Sequence, residues 1–323
     1  MQILKSPNYD FVRWRWQAIA LSVIVIGIGI ATVLTRGLPL GVEFEGGTIV
    51  ILKFEQEPDI PGIRQALASG LPGGDDAIVQ RYGEPEHREV MIRVSDVGAE
   101  TGGELSRTAE AVIATIQEAN VGQFTPIGTE IVGPIVGDQL KRQGALATVL
   151  ALAGILAYIA MRFQFSFAVG AVVATIHDLL VTMTFLALFE YDLTLNVIAG
   201  ILTITGYSVN DTIVVFDRVR ENMRAMRRDK LDHIVNVAVN QTLARTIITA
   251  GTTLLSVTAL FLFGGEVLKG FAFTMIVGII SGTYSTVFIA AAIAILWQGK
   301  RPVKGQTVAA AAPTERKRRA RAS

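Results

Sequence analysis

Six long apolar segments alternate with polar stretches along the chain. They run from Ala18 to Thr35, Gly144 to Ala160, Phe167 to Phe189, Leu193 to Phe216, Ile247 to Phe263, and Phe271 to Trp297. Because a helix rises ~1.5 Å per residue and the hydrocarbon core of a bilayer is ~30 Å thick, segments of this length can cross a membrane. Hydrophobic residues make up 51% of the chain and charged residues 18%. This mixture predicts an α-helical membrane protein that also carries a water-exposed domain.

The stretch between the first two spans has the periodicity of a mixed α+β domain. It predicts strands from Thr48 to Glu55, Asp76 to Tyr82, Arg88 to Ser95 and Thr125 to Val132, and helices from Ile60 to Ser69 and Gly103 to Ala119. The order βαββαβ is the ferredoxin-like arrangement. Gly133 and Pro134 end the last strand, and we expect a helix from about Val136 to run directly into the second span.

Positive charges predict the orientation in the membrane. If the N-terminus is inside, the inner side holds 19 Lys and Arg residues, whereas the short loops of the opposite side hold only Lys269. Both termini are therefore expected to be cytoplasmic, in a multi-pass membrane protein. We expect residues 1–17 to form a cytoplasmic N-terminus, 18–35 the first span, 36–140 an extramembrane domain on the outer side, 141–298 spans two to six, and 299–323 a disordered tail.

Charge further limits the partners. The segment from Arg36 to Arg142 has 9 basic and 17 acidic residues, a net charge of −8, so a nucleic-acid partner is not expected. The basic tail is expected to contact anionic lipid. Within the cytoplasmic loop 217–246, one helical face is apolar, which predicts an amphipathic helix lying on the membrane. That face consists of Leu231, Ile234, Val235, Ala238 and Val239.

The fourth span carries an ionisable residue at membrane depth. The run GYSVNDTIVVFDRVREN places Asn210 and Asp211 inside the apolar region, with Asp211 about 9 Å from its cytoplasmic end. An ionisable side chain at that depth costs several kcal/mol unless it is partnered, and no packing need requires it. We therefore predict that Asp211 is functional and takes up and releases protons. The same face of the helix carries Asn196, Gly200 and Ser208.

A second polar stripe lies on the fifth span. Its members follow the spacing of one helical face: Arg245, Thr249, Thr252 and Ser256. We expect the two stripes to face each other, with the side chain of Arg245 reaching toward Asp211. The alternative is that Arg245 extends to the lipid headgroups, while the hydroxyl residues allow close helix packing.

The third span also contains two adjacent polar residues, His177 and Asp178, with Thr175 and Thr182 nearby on the helix. They fit either a proton relay, because histidine titrates near neutral pH, or a satisfied hydrogen bond between helices. Ser208 and Thr249 are open to the same two interpretations. Gly278 and Gly282 form a G-x-x-x-G motif that predicts close packing of the sixth span.

Catalytic chemistry has little support in this sequence. The chain has no cysteine, and it shows no nucleophile–base pair, phosphate-binding loop or metal-ligand cluster. We therefore predict that the protein is not an enzyme and uses no cofactor or metal.

Several long motifs together resemble the SecF family of the Sec protein-export machinery. They are GVEFEGG after the first span, HDLLVT in the third, LNVIAGILTITGYSVNDTIVVFDRVREN through the fourth, and NQTLARTIITAGTT entering the fifth. The resemblance extends over nearly the whole chain. It implies an RND-type half-transporter bundle that uses the proton motive force to promote preprotein translocation. In that family the span-four aspartate and the span-five arginine are implicated in proton passage, which assigns a relay to Asp211 and Arg245, with Asn210 beside them.

The resemblance also implies partners. A SecD-like subunit would supply the second half of the transporter, and the SecYEG channel, preproteins and protons would be the other interaction partners, with YajC and YidC as further candidates. Glu43 and Glu45 stand in a motif where this family more often has an aspartate. Two alternatives remain at this point: an RND-type proton-driven exporter of small molecules or lipids, and a scaffold that only stabilises the translocon.

Overall fold

The computed structural model describes residues 8–83, 85–94 and 102–298. Six helices in these ranges are long and apolar enough to cross a membrane, which confirms the predicted fold class. Numbered in chain order, they are α1 (Arg15–Arg36), α5 (Pro134–Arg162), α6 (Phe165–Leu188), α7 (Leu195–Ala225), α8 (Leu231–Phe263), and a last span made of α9 (Glu266–Ser285), a π-helical turn (Thr286–Ala290) and α10 (Ala291–Gln298). The predicted tail, residues 299–323, lies outside the described ranges.

The extramembrane domain has the predicted βαββαβ order. After the single turn α2 (Val42–Glu45) come β1 (Gly47–Phe54), α3 (Ile60–Gly70), β2 (Ile78–Tyr82), β3 (Glu89–Val94), α4 (Gly102–Glu118) and β4 (Phe124–Val132). The strands form one antiparallel sheet in the order β2-β3-β1-β4. Val50, Leu52 and Ile92 of the sheet are fully buried against Ile63 of α3 and Ile116 of α4. Ser95, predicted as the end of the third strand, is not among the described residues.

A single helix connects this domain to the second span. Gly133 precedes α5, and Pro134 occupies one of its first positions, where a helix needs no backbone N–H from that residue. The helix then continues without a break to Arg162. The prediction of a helix that runs from the last strand into the membrane is confirmed. The domain is thus joined to the bundle through a stiff connection.

The segment between spans four and five differs from the prediction. Residues 217–225 continue α7, and residues 231–246 are the first part of α8, so no separate helix lies on the membrane surface. The apolar face that suggested one is buried in protein. Ile234, Val235, Ala238 and Val239 pack in a core with Phe216 and other residues of α6, α7 and α10. An apolar helical face fits a helix that lies in the lipid headgroup region, and it fits equally a helix that packs into a protein core.

The six spans differ in how far they are enclosed. Helices α6 and α7 and the last span form the interior of the bundle, whereas α1, α5 and α8 present most of their surface outward. Among these elements, α7 packs most extensively against α9.

The buried position of the first part of α8, residues 231–246, predicts a difference in stability. We expect Ile234→Ala to lower the free energy of unfolding by about 2–5 kcal/mol, because it leaves a cavity in the core. Ile248→Ala, at a position that is 43% exposed on the same helix, should cost much less in the isolated chain. Thermal unfolding of both variants in detergent measures the difference. Equal effects would place the segment on the membrane surface after all.

Candidate functional site

The carboxylate of Asp211 is half-buried between α7, α8 and the π-helical turn. The Thr246 hydroxyl donates a hydrogen bond of 2.8 Å to its Oδ1. The Thr286 hydroxyl also lies near the carboxylate. Oδ2 is buried and has no hydrogen-bond partner among the described residues. A carboxylate with one oxygen satisfied and the other without a partner is poised to change its hydrogen bonding when it binds a proton.

Arg245 does not form the ion pair expected for it. Its side chain is exposed on the surface of α8, and its charge reaches Asp211 only as a longer-range electrostatic interaction. The following residue, Thr246, is buried and faces Asp211 instead. The physical reason is the helical turn of about 100° per residue, which directs neighbouring side chains to different faces. Asn210 is likewise exposed and points away from the bundle interior.

Asp178 lies at the centre of a second, fully buried polar cluster. Its carboxylate accepts hydrogen bonds from three serine hydroxyls: Ser208 of α7 at 2.5 Å, Ser281 of α9 at 2.8 Å and Ser285 of α9 at 2.7 Å. The ring nitrogen Nδ1 of His177 is 3.0 Å from the same carboxylate, and its Nε2 is 2.8 Å from the hydroxyl of Ser22 on α1. The cluster therefore connects α6 with α1, α7 and α9.

The two carboxylates are connected through the start of the π-helical turn. Ser285, which bonds Asp178, is followed by Thr286, whose hydroxyl is 2.9 Å from that of Thr212 and which also lies near Asp211. On α7, Ser208 and Asp211 are one helical turn apart. Such π-helical turns inside α-helices occur frequently at functional sites.

Small residues bring α7 and α9 close enough for this arrangement. A Cβ added at Gly282 would lie 2.9 Å from the side chain of Ser208, and one at Gly278 would lie 2.4 Å from that of Ile204. A Cβ at Gly200 would meet Thr274 at 3.1 Å. The close packing predicted from the G-x-x-x-G motif is thus confirmed. Without it, Ser208 and Ser285 could not reach the same carboxylate.

The remaining predicted residues do not enter either cluster. Thr249, Thr252 and Ser256 are exposed on α8, and each donates its hydroxyl hydrogen bond to a carbonyl of its own helix. Asn196 is partly exposed and donates a hydrogen bond to the Val267 carbonyl. Thr175 bonds within α6, and the buried Thr182 hydroxyl has no hydrogen-bond partner among the described residues. The polar stripe on α8 therefore lies on the outer surface of the bundle.

Sequence reasoning missed four hydroxyl residues that hold the two carboxylates: Thr246, Ser281, Ser285 and Thr286. Ser281 and Ser285 are four residues apart in an apolar span, three residues after Gly278 and Gly282. The serine pair and the glycine pair have the same four-residue spacing. This spacing could have predicted that both serines lie near the closely packed face of α9. Nothing in the local sequence distinguishes Thr246 from the exposed threonines that follow it.

Comparison with known proteins identifies relatives over most of the chain. Residues 111–300 match the family model described as protein export membrane protein SecD/SecF, C-terminal, and residues 32–58 match the SecD/SecF GG motif. The chain is 42% identical to the protein translocase subunit SecF of Rhodothermus marinus, over 91% of this chain and 95% of that protein. It is 38% identical to SecF of Escherichia coli O157:H7, over 91% of this chain and 89% of that protein.

A solved structure supports the same relationship. The crystal structure of SecDF from Thermus thermophilus, described as a translocon-associated membrane protein, matches 91% of this chain with a TM-score of 0.80 and 31% sequence identity. The match covers 39% of that protein, so this chain spans well under half of its length. A second SecDF structure, in a super-membrane-facing form, matches with a TM-score of 0.66. The resemblance found from the sequence motifs is confirmed.

The two buried carboxylates should differ in their importance for stability. Asp178→Ala removes the acceptor of three serine hydroxyls, and hydrogen bonds to a charged group contribute about 1.5–3 kcal/mol each. We expect a loss of at least about 3 kcal/mol in the free energy of unfolding. Asp217→Ala is the control, because Asp217 makes only longer ion pairs at the exposed end of α7. Thermal stability of both variants in lipid nanodiscs tests this, and equal losses would contradict it.

Proposed function

Because the chain belongs to the SecF family, as an accessory subunit of the Sec translocase in the inner membrane, we propose that it couples the proton motive force to preprotein translocation through Asp211. The observation that carries this proposal is the half-satisfied carboxylate of Asp211 inside a membrane-spanning helix. Moving one proton through 100 mV releases roughly 2.3 kcal/mol, enough to shift an equilibrium between two packing arrangements.

Proton binding would change the local hydrogen bonding. The ionised carboxylate of Asp211 only accepts hydrogen bonds, and it accepts one from Thr246. A protonated carboxyl loses its charge and gains a donor, for which the nearby Thr286 hydroxyl is a candidate acceptor. Arg245 would act through its charge, by favouring the ionised form from a distance. Asn210 is a candidate for the path between Asp211 and the partner subunit.

Motion would then pass through α7 and the last span. Coupling requires that the two protonation states of Asp211 differ in packing, because a proton that binds both arrangements equally shifts neither. The contacts of Thr286 with Thr212 and of Ser285 with Asp178 join the π-helical turn to α7 and α6. In this proposal His177, Asp178 and Ser208 hold the helices in position around the titrating residue, and Thr249 contributes to the outer surface of α8.

The exposed polar stripe on α8 supports a second membrane subunit. Arg245, Thr249, Thr252 and Ser256 lie on the outer surface of a membrane-spanning helix. The three hydroxyls are satisfied within α8, but lipid offers no partner to the charge of Arg245, so the stripe favours a protein surface. We assign that surface to a SecD-like subunit, in keeping with the larger SecDF chain that this protein matches over 39% of its length.

The same assignment gives the wider context. The SecYEG channel, preproteins, YajC and YidC are proposed partners, and anionic lipid is the proposed contact of the basic tail. Both termini are proposed to be cytoplasmic, which puts the extramembrane domain on the periplasmic side. We propose an energy-coupling role without an enzymatic reaction, in line with relatives that are named translocase subunits.

Removing the charge of Asp211 should abolish proton coupling. We expect Asp211→Asn to reduce proton flux in vesicles to the level of protein-free vesicles and to remove the gradient-dependent part of preprotein export. Asp217→Asn, on the exposed end of the same helix, should leave both unchanged. Flux is measured with a pH-sensitive dye in vesicles that contain the co-purified complex. Normal flux and normal export with Asp211→Asn, at normal expression, would refute the mechanism.

A bulky side chain on the polar stripe should weaken subunit association. We expect Thr252→Trp to reduce co-isolation of the SecD-like subunit several-fold, because the hydroxyl side chain lies where the partner would pack. Leu150→Trp is the matched control on α5, where the residue is 62% exposed. Affinity purification from detergent-solubilised membranes measures both. A larger loss with Leu150→Trp would move the interface to α5.

A further inference from the structure

The loop between α6 and α7, residues 189–194, is attached to the beginning of the extramembrane domain. The Leu193 N–H donates to the Pro39 carbonyl at 2.8 Å, and the Gly41 N–H donates to the Leu193 carbonyl at 2.9 Å. Leu40 and Leu193 thereby form a short parallel β-bridge. This contact is independent of α5, and it leads directly into α7, the helix that carries Asp211.

A buried arginine lies at the centre of this junction. Arg93 of β3 is 4% exposed. Its Nη1 donates a hydrogen bond of 2.9 Å to the Leu40 carbonyl, and the same nitrogen is 3.9 Å from Oδ2 of Asp192. The side chain therefore connects the sheet of the domain with both strands of the β-bridge. A buried guanidinium requires such partners, because its charge is costly to remove from water.

Two carboxylates lie at this junction, Asp192 beside Arg93 and Glu43 beside the backbone of Gly41. Oε2 of Glu43 is buried and has no hydrogen-bond partner among the described residues. Glu43 and Asp192 are close enough to interact electrostatically. With both carboxylates ionised, the group of three side chains carries a net negative charge inside the junction. One proton bound by either carboxylate would make the group of three side chains neutral.

Solvent reaches the junction from the side of the extramembrane domain. A cavity of about 380 Å³ opens there, lined by Glu43, Asp192 and the outer face of the sheet. The other titratable or charged side chains that line it are Arg81, Tyr82, Glu130, Glu190, Tyr191 and Lys269. Protons can therefore exchange with the junction without crossing the membrane.

We propose that Glu43, Arg93 and Asp192 form a proton-binding latch that holds the extramembrane domain against the α6–α7 loop. The latch is closed when one proton makes the group of three side chains neutral, and it opens when both carboxylates are ionised. It deepens the proposed function, because it gives α7 a second connection to the domain on the side where the gradient supplies protons. Its own proton binding does not require Asp211.

The direction of the pH effect follows from Asp192. Burial raises the pKa of Asp192 above its ordinary value, the nearby Arg93 opposes this, and Glu43 adds to it. When the junction opens, Asp192 becomes solvated and its pKa returns toward the ordinary value. The closed latch therefore binds the proton more tightly than the open one. Acid favours the closed latch, and rising pH through the raised pKa favours the open one.

Distance measurements on the full chain test the latch. The chain has no cysteine, so spin labels can be attached uniquely at Gln56→Cys in the domain and at Phe263→Cys, an 86% exposed position at the end of α8. In nanodiscs with a cysteine-free SecD-like partner, we expect one narrow distance distribution at about pH 5.5 and a several-fold larger long-distance component at about pH 8. Asp192→Asn should keep the narrow distribution at both pH values.

Two further variants separate this proposal from its alternatives. Glu190→Gln alters an exposed neighbouring carboxylate and should behave like the unmodified chain. Asp211→Asn should retain the pH-dependent distances while it loses proton flux, so failure of the latch and failure of the proposed function give different results. If Asp192→Asn does not fold, Glu43→Gln provides the same test. A distribution that is independent of pH, or one that shifts equally in Asp192→Asn, would overturn the latch.

Discussion

The cost of placing a carboxylate inside a low-dielectric bundle governs the membrane part of this protein. Each buried acid must obtain from neighbouring helices the hydrogen bonds that water would otherwise give. Asp178 obtains them in full, from three serines and His177. Asp211 obtains only one at Oδ1, and its Oδ2 has none among the described residues. This difference, rather than depth or sequence context, distinguishes Asp178, which holds helices together, from Asp211, to which the proposed function assigns proton binding.

The fully satisfied acid has consequences for packing. Because the serines that bind Asp178 come from α7 and α9, those helices must approach within the reach of a hydroxyl group. Gly278 and Gly282 permit that approach, since a side chain at either position would collide with α7. The same approach positions the π-helical turn, and with it Thr286, beside Thr212 and Asp211. A rigid polar cluster therefore surrounds and orients the incompletely satisfied carboxylate.

The extramembrane domain follows the same physical rule at its junction with the bundle. Arg93 is buried in the sheet, and its partners come from residues 38–41 and from the α6–α7 loop. The domain is thus connected to the spans by α5 on one side and by a charged junction on the other. A covalent helix transmits motion in every state, whereas the proposed latch would transmit it in one protonation state only.

The periodicity of the sequence determined the six spans, the βαββαβ domain, the continuous α5 and the place of Asp211 inside the fourth span, because hydrophobic period and cost of burial are local properties. Only the tertiary structure decided which groups face that carboxylate: Thr246 and not Arg245. It also decided that Ile234 and Val235 lie in a protein core, and that Ser281, Ser285 and Arg93 enter buried polar clusters. Those outcomes depend on the rotation of each helix and on neighbours distant in sequence, which no local pattern specifies.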